Sequence, residues 1–146
     1  MKRLHVSVYV ADLDEAVQFY SGLFGDQPTV LKAAYAKWSL ADPPVNFAIE
    51  ASRSVKGLNH LGIEAETEME LEGIYEGFDA SGGPVSDRGQ SHCCYAVSDK
   101  GWVRDPAGIA WEGFLTHQAA DTYGATTGAA RQEDDTKPDQ QTGACC

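Results

Sequence analysis

The stretch that decides the fold occurs twice: residues 4–24 read LHVSVYVADLDEAVQFYSGLF, and residues 59–79 read NHLGIEAETEMELEGIYEGFD. In each copy a histidine, His5 or His60, opens a short strand pattern of alternating residues. A helix start with a capping-box pair follows at the same spacing; the pairs are Asp12 with Glu15, and Thr67 with Glu70. Self-similarity at a fixed offset, here 55 residues, predicts a duplicated module.

Each copy continues through a helix into three short strand candidates. The apolar residues of the helices recur at helical spacing; they are Leu13, Ala16, Val17, Tyr20 and Phe24, and then Leu71, Ile74, Tyr75 and Phe78. The strand candidates lie near 29–32, 35–40 and 46–50, and near 85–88, 93–97 with 101–104, and 109–115. This order predicts an α+β chain of two tandem βαβββ modules, at residues 1–56 and 57–117.

Length and charge limit the partners of this chain. With 146 residues and 42% hydrophobic content, it is long enough for one domain core. The formal net charge of −11 opposes binding to phosphate backbones and anionic lipid, so nucleic-acid and membrane partners are not expected. No apolar run approaches the roughly 20 residues of a membrane span, and the N-terminus carries no secretory pattern. We therefore expect a cytoplasmic protein.

The end of the chain differs in composition from the modules. Residues 118–146 are rich in Ala, Thr, Gly, Gln and Asp and are predicted to form a flexible polar tail. Its tip, Cys145-Cys146, is one of two adjacent cysteine pairs, the other being Cys93-Cys94. Adjacent cysteines rarely bridge each other because the geometry is strained, and a reducing cytoplasm keeps them as free thiols.

His5, His60 and Glu112 form the candidate metal-ligand set. The two histidines occupy equivalent places in the two copies, so pairing of the modules about a pseudo-twofold axis brings their rings to one cleft. Glu112 lies among apolar residues of the last strand, where a buried carboxylate needs a cation. Two imidazoles and one carboxylate with open positions suit a redox-active divalent metal. Iron, nickel, cobalt, manganese and zinc all stay open.

Glu50 is an alternative fourth ligand, from the first module. Aligning the Asp-Pro turns at 42–43 and 105–106 places Ile49, and not Glu50, opposite Glu112. Because strand faces alternate with each residue, we expect Glu50 at a solvated strand end.

The thiols of Cys93 and Cys94 form the second candidate site. Two thiolates chelate a soft cation or trivalent arsenic better than one, whereas the alternative is two small buried apolar side chains. Adjacent strand side chains point to opposite faces, so the pair is predicted at a loop–strand junction, after a mobile loop at 87–91. His92 either helps to hold metal or arsenic or, as we expect, lies exposed in that loop, and His117 receives no role.

A set of motifs over residues 4–117 carries a family resemblance. The motifs are Ala11-Asp12-Leu13, Phe19-Tyr20-Ser21, Leu23-Phe24-Gly25, Tyr35-Ala36-Lys37, Asn59-His60-Leu61-Gly62, Cys93-Cys94-Tyr95-Ala96, Asp99-Lys100, Trp102-Val103, Asp105-Pro106-Ala107-Gly108 and Trp111-Glu112. As a set they resemble the bacterial carbon–arsenic lyases of the vicinal-oxygen-chelate superfamily, to which glyoxalases, bleomycin-resistance proteins and extradiol dioxygenases also belong. Related cadmium-inducible proteins share much of the set.

The resemblance implies a fold and an activity. Two βαβββ modules would pair about a metal-binding cleft, either within one chain or across a homodimer. Ferrous iron held by His5, His60 and Glu112, with molecular oxygen as co-substrate, would cleave the carbon–arsenic bond and release arsenite. Cys93 and Cys94 would bind the arsenic of a trivalent methyl or aryl arsenical.

Further residues are expected to contact the substrate. Lys100 and Trp102 are candidates for substrate binding, and Trp102 is expected to line an apolar pocket together with Tyr9, Trp38 and Phe47. The terminal pair, Cys145-Cys146, either captures arsenicals or metal and passes them inward, or is a dispensable terminus.

Two other functions stay open. A non-catalytic protein could sequester cadmium or arsenic through its thiols, but such a protein needs no set of two histidines and a carboxylate. A glyoxalase or ring-cleaving dioxygenase relative would share the fold, and a glyoxalase should show a fourth carboxylate ligand.

Overall fold

The computed structural model describes residues 1–93 and 96–119, and for 91–93, 96 and 118–119 it describes the backbone alone. The helices are α1 (Leu13–Phe24) and α2 (Glu68–Ser81). The strands are β1 (Arg3–Val10), β2 (Val30–Lys32), β3 (Tyr35–Ala41), β4 (Pro44–Ala51), β5 (Gly57–Ala65), β6 (Val85–Cys93), β7 (Ala96–Arg104) and β8 (Ala110–Ala119). Within these residues, neither helix is long and apolar enough to cross a membrane.

One sheet of eight strands joins the two modules, in the order β2-β3-β4-β1-β5-β8-β7-β6. Each module contributes four neighbouring strands, and the modules meet where β1 pairs with β5 in antiparallel. Within the modules, β1 runs parallel to β4 and β5 runs parallel to β8. The α+β fold of paired βαβββ modules, predicted from the repeat, is confirmed, and the modules pair within one chain.

The register across the module boundary has twofold symmetry. His5 lies opposite Gly62 and Ser7 lies opposite His60. Exchanging the two modules turns the first pair into the second, so His5 corresponds to His60 and Ser7 corresponds to Gly62. The pseudo-twofold axis therefore passes between the two histidine positions.

The two helices cover one face of the sheet. On β1, Val6, Val8 and Val10 pack into the core beneath α1, which leaves His5 and Ser7 on the opposite face because strand side chains alternate. The second core lies beneath α2; its buried members are Ala65, Leu71, Ile74, Phe78, Val103 and Leu115. The apolar stripes predicted from helical spacing are the residues that pack into these cores.

Both predicted helix starts are confirmed. The Asp12 side chain accepts a hydrogen bond from the backbone N–H of Glu15, and the Thr67 side chain accepts one from Glu70. Each bond satisfies a backbone donor that has no partner within the helix.

Residues 87–91 were predicted to form a mobile loop before a strand, and this prediction is wrong. They lie within β6, whose pairing with β7 is irregular between Ser86 and Gly89, and Asp87 has a positive φ of 55°. A bulge of this kind lets an exposed edge strand carry polar residues without a break in the sheet. Cys93 consequently ends β6 and does not begin the next strand.

Two aromatic residues assigned to a substrate pocket belong to the core instead. Trp38 is fully buried and Phe47 is nearly so, and both pack in the cluster beneath α1. Their neighbours on the same strands, Lys37 and Ala48, are paired with each other and lie on the opposite face. The interpretation of Trp38 and Phe47 as pocket residues was wrong because hydrophobicity alone does not tell which face of a strand a side chain occupies.

Candidate metal centre

Three buried side chains converge on the sheet face opposite the helices. His5 comes from β1, His60 from β5 and Glu112 from β8, and each residue is at most 3% exposed. The two histidine Nε2 atoms are 3.1 Å apart, and Glu112 Oε2 lies 3.4 Å from Nε2 of His60 and 4.0 Å from Nε2 of His5. In the described part of the chain, this is the group of His, Cys, Asp and Glu atoms close enough to hold a metal ion.

The spacing of these atoms fits a metal ion. Protein nitrogen and oxygen ligands lie about 2.0–2.2 Å from a divalent metal, so neighbouring ligand atoms are about 2.8–3.6 Å apart in octahedral or tetrahedral geometry. Two of the three separations fall in this range, and the third is a few tenths of an ångström wider. Two imidazoles with one carboxylate form the ligand set that leaves positions open on a redox-active divalent metal.

His5 is held in the form that binds metal. Its Nδ1 lies 3.1 Å from both the backbone oxygen and the side-chain oxygen of Asn46. Both oxygens accept, so Nδ1 carries the proton and Nε2 keeps its lone pair. Burial lowers the pKa of His5 to about 4, against an opposing effect of the nearby Glu112 charge. The ring is therefore neutral at physiological pH.

Glu112 is held as a carboxylate by its neighbours. Burial alone raises the pKa of Glu112, but the hydrogen bond from His60 and the charge of Lys100 lower this pKa to about 2. Lys100 Nζ donates to Glu112 Oε1 at 3.0 Å, and both side chains are nearly inaccessible. Because Lys100 occupies Oε1, Oε2 is the oxygen that faces the two histidines.

The first module has no carboxylate at the place of Glu112. Glu112 is paired with Gly62, and the corresponding residue Ser7 is paired with Ala48. The prediction that Ile49 stands opposite Glu112 is therefore wrong by one residue. Aligning the Asp-Pro pairs does not align the strands, because two residues, 42–43, join β3 to β4, whereas five residues, 105–109, join β7 to β8.

Glu50, the alternative fourth ligand, lies on β4 two residues beyond Ala48 and is half-buried. It does not belong to the group of metal-binding atoms formed by His5, His60 and Glu112. Because Glu50 is half-buried, the expectation that it lies at a solvated strand end is wrong.

Lys100 and Trp102 were expected to bind substrate, and both lie at the metal centre. The Trp102 ring meets the His60 ring edge-on at 4.9 Å between centroids. A cavity of about 660 Å³ borders both His60 and Trp102 and is also lined by Leu58 and Ile109. Of the three candidate ligands, His60 is the one that this cavity borders.

The thiol pair is only partly described. Cys93 pairs with Ala96 at the end of the β6–β7 hairpin, while Trp102 pairs with Glu112. Trp102 is six residues further along β7 than Ala96, which is about 20 Å along an extended strand. Cys94, Cys145 and Cys146 lie outside the described residues, as does most of the predicted tail.

The other two histidines lie on strands β6 and β8 of the second module. His92 lies in β6 paired with Val97, so its predicted loop position is wrong. His117 Nε2 is 2.8 Å from Asp99 Oδ2 in an exposed hydrogen bond.

One residue of the site was missed from the sequence. Asn46 is a buried amide within the apolar run Val45–Ile49, and it positions His5. A polar residue in such a run needs a hydrogen-bond partner when buried, and that signal points to Asn46.

Comparison with known proteins finds relatives of this chain. The model of the Glyoxalase/Bleomycin resistance protein/Dioxygenase superfamily matches residues 2–112. A trivalent organoarsenical cleaving enzyme from Thermomonospora curvata is 34% identical over 84% of this chain and 82% of its own length. The cadmium-induced protein CadI of Mycobacterium bovis is 31% identical over 100% of this chain and 93% of its own.

A solved structure shares the fold at low sequence identity. The Mn(II)-bound glyoxalase from Novosphingobium aromaticivorans superposes with a TM-score of 0.57 at 17% identity, over 90% of this chain and 44% of that one.

Proposed function

Because the chain belongs to the glyoxalase/bleomycin resistance protein/dioxygenase superfamily, we propose that it cleaves the carbon–arsenic bond of trivalent organoarsenicals and releases arsenite. In this proposal, ferrous iron is the cofactor, molecular oxygen is the co-substrate, and the protein acts in the cytoplasm. One observation carries it: a buried centre of two imidazoles and a carboxylate in a chain whose relatives bear the name of organoarsenical cleaving enzymes.

His5, His60 and Glu112 hold the iron in this proposal. When bound, ferrous iron supplies a redox-active centre at which oxygen is activated next to the substrate. The chain contributes the placement of the ligands. Asn46 keeps Nε2 of His5 unprotonated, and Lys100 leaves one oxygen of Glu112 facing the two rings. The burial of all three ligands excludes bulk water from the centre.

Cys93 and Cys94 bind the arsenic, since thiolates prefer soft partners. The end of β6 lies about 20 Å along β7 from the level of Glu112, so turnover requires the hairpin end to approach the metal centre. The register of this hairpin arm is irregular between Ser86 and Gly89. Trp102 borders the cavity beside His60, where the organic group of the substrate would lie.

A second candidate function is sequestration of cadmium or arsenic by the thiols without turnover. The alignment with the cadmium-induced protein favours it, because that alignment spans the whole chain, with the terminal pair Cys145-Cys146 included. The buried centre of His5, His60 and Glu112 weighs against it, since binding by sulfur does not need these ligands.

The deciding experiment measures arsenite. The protein is loaded with ferrous iron without oxygen, mixed with methyl- or phenyl-arsenic(III), and then exposed to oxygen. We expect arsenite release that needs both iron and oxygen and is lost in Cys93→Ser and in His60→Ala. His117→Ala is the matched histidine control, because His117 forms an exposed hydrogen bond with Asp99 outside the centre. Tight arsenical binding without arsenite release, unchanged when iron is removed, would establish sequestration instead.

A further inference from the structure

We propose that the second module carries a binding site for a small aromatic anion, on the face of the sheet opposite the metal centre. The site is a cavity between α2 and the strands beneath it. Its ligand is a planar apolar ring that bears one carboxylate or sulfonate group. The inference does not depend on the activity proposed above, because none of its steps uses the metal.

The cavity has the size and the position of a separate small-molecule site. Its volume is about 590 Å³, within the roughly 300–1,000 Å³ usual for such sites. Val103 and Trp111 line it from the sheet, and each is adjacent along its strand to a residue of the metal face, Trp102 or Glu112. Because strand side chains alternate, the sheet separates this cavity from the metal centre.

The repeat shows what fills the equivalent place in the first module. Phe47 and Trp111 are counterparts, because the residues with which they pair in β1 and β5 are 55 positions apart. Trp38 is paired with Phe47, and Val103 is paired with Trp111. Trp38 of the first module therefore corresponds to Val103 of the second.

This exchange removes a large ring from the core beneath α2. Trp38 is fully buried, and its ring centroid lies 5.9 Å from that of Phe24 and 6.1 Å from those of Tyr20 and Phe47. At the same place in the second module the side chain is the smaller Val103, and its partner Trp111 is only half-buried. Aromatic rings fill the space beneath α1, whereas beneath α2 the space stays open to a ligand.

The wall of the cavity on the side of α2 also lacks side chains. Gly73 and Gly77 line it one helical turn apart, and a Cβ at either position would meet nothing within 4 Å. With the apolar side chains of Ile74 and Phe78 beside them, these glycines form a smooth apolar wall. Such a wall suits the face of a planar ring.

The charges at the cavity favour an anion. Lys2 and Arg104 line it in a chain whose net charge is −11, and in the described part of the chain Lys2 has no ion-pair partner. The acidic residue that lines it is Asp105, whose two oxygens accept hydrogen bonds from Trp111 Nε1 and from backbone N–H groups of its own turn. Two cations beside an apolar cavity attract an organic anion that the rest of the surface repels.

The first test fills the cavity. The probe is anilinonaphthalene sulfonate, an aromatic anion whose fluorescence rises when it leaves water, and it is titrated into the full-length protein. Gly77→Leu adds an apolar side chain to the cavity wall, and Gly22→Leu makes the same change at the corresponding position of α1. We expect Gly77→Leu to weaken binding by about tenfold, because the side chain takes the apolar surface from the ligand, and Gly22→Leu to bind as the wild type does.

Equal binding by these two variants, or no binding by the wild type, would overturn the proposal. Leu forms helices better than Gly, so both variants should fold, and circular dichroism checks this. If Gly77→Leu unfolds, Gly73→Leu replaces it, with Gln18→Leu as its control at the corresponding position of α1.

The second test separates the charge from the ring. Naphthoate and the neutral naphthalene methanol share one ring system, and each competes with the fluorescent probe. We expect naphthoate to bind about fivefold more tightly through the charges of Lys2 and Arg104, and this preference to disappear in the double variant Lys2→Gln with Arg104→Gln. Arg53→Gln, which removes an exposed cation outside the cavity, should keep the preference.

Equal affinity of the wild type for the two competitors would contradict the assignment of an anionic ligand. Arsenite and metal are measured in neither test. Failure of either one therefore leaves the proposed lyase activity standing, and absence of arsenite release leaves the aromatic-anion site standing.

Discussion

The two modules contribute the same histidine to the metal centre and surround it differently. In the first module, His5 is oriented by Asn46, and the neighbouring strand carries Ala48. In the second module, His60 has the carboxylate of Glu112 beside it and no described partner at Nδ1. The duplicated fold sets where the side chains stand, and the differences between the copies set their chemistry.

The largest expected effect comes from removing the second module's carboxylate. Glu112→Ala removes a metal ligand and leaves Lys100 buried without its counter-charge. We expect Co²⁺ affinity to fall more than a hundredfold and the free energy of unfolding of the metal-free protein to fall by about 3–5 kcal/mol. Metal titration and urea unfolding measure the two effects.

The double variant Glu112→Leu with Lys100→Met is the matched control for this prediction. It should recover much of the stability and none of the metal binding, because no buried charge remains. Recovery of metal binding would show that Glu112 is not a ligand.

A pH titration compares His5 with Glu112 in the metal-free protein. The pKa of His5 is lowered from 6.5 to about 4, so the buried ring favours folding fully above pH 6.5, and this contribution is lost as the pH falls towards 4. The pKa of Glu112 is lowered from 4.5 to about 2, so its contribution to folding stability is lost at lower pH, between pH 4.5 and about 2.

We expect His5→Gln to remove the upper part of this acid dependence, which amounts to roughly 3 kcal/mol, and to leave the lower part unchanged. Urea unfolding at a series of pH values measures how the free energy of unfolding depends on pH. An unchanged slope between pH 6.5 and 4 in His5→Gln would contradict the assignment.

The helices provide a third comparison. Gly113 on β8 lies beneath α2, and its counterpart on β4 is Ile49, beneath α1. A Cβ at residue 113 would lie 2.5 Å from Ile74 Cγ2, so α2 packs closer to the sheet. Gly113→Ala should lower the melting temperature, at a cost of about 1–3 kcal/mol. In Gly77→Ala, where a Cβ meets nothing within 4 Å, the melting temperature should not fall.

The smallest effect is expected at the orientation of His5. Asn46→Ala removes one acceptor of the His5 Nδ1 proton but keeps the backbone oxygen of residue 46. We expect about a tenfold loss of Co²⁺ affinity, at the low end of the range for such supporting residues. A loss as large as that of Glu112→Ala would mean that Asn46 itself binds the metal.

Much of this fold follows from local pattern. The repeat offset predicted the modules, and helical spacing with the capping pairs predicted both helices, because these signals depend on neighbouring residues. Only the first part of the edge strand β6 was predicted, near 85–88, since the polar, bulged remainder of the strand has no apolar alternation. The prediction that Ile49 stands opposite Glu112 failed because the register of two strands depends on the length of the turn that joins them. A register shift of one residue moves every side chain to the other face of the strand.

The sequence by itself determined that two copies of one module carry equivalent histidines, and that an acidic residue lies in the last strand. Only the tertiary structure decided that Lys100 pairs with Glu112, that Asn46 orients His5, and that Ala48 stands at the place of a second carboxylate. The reason is physical: helix and strand periodicity are set within a few residues, whereas pairs between distant strands depend on the register of the whole sheet.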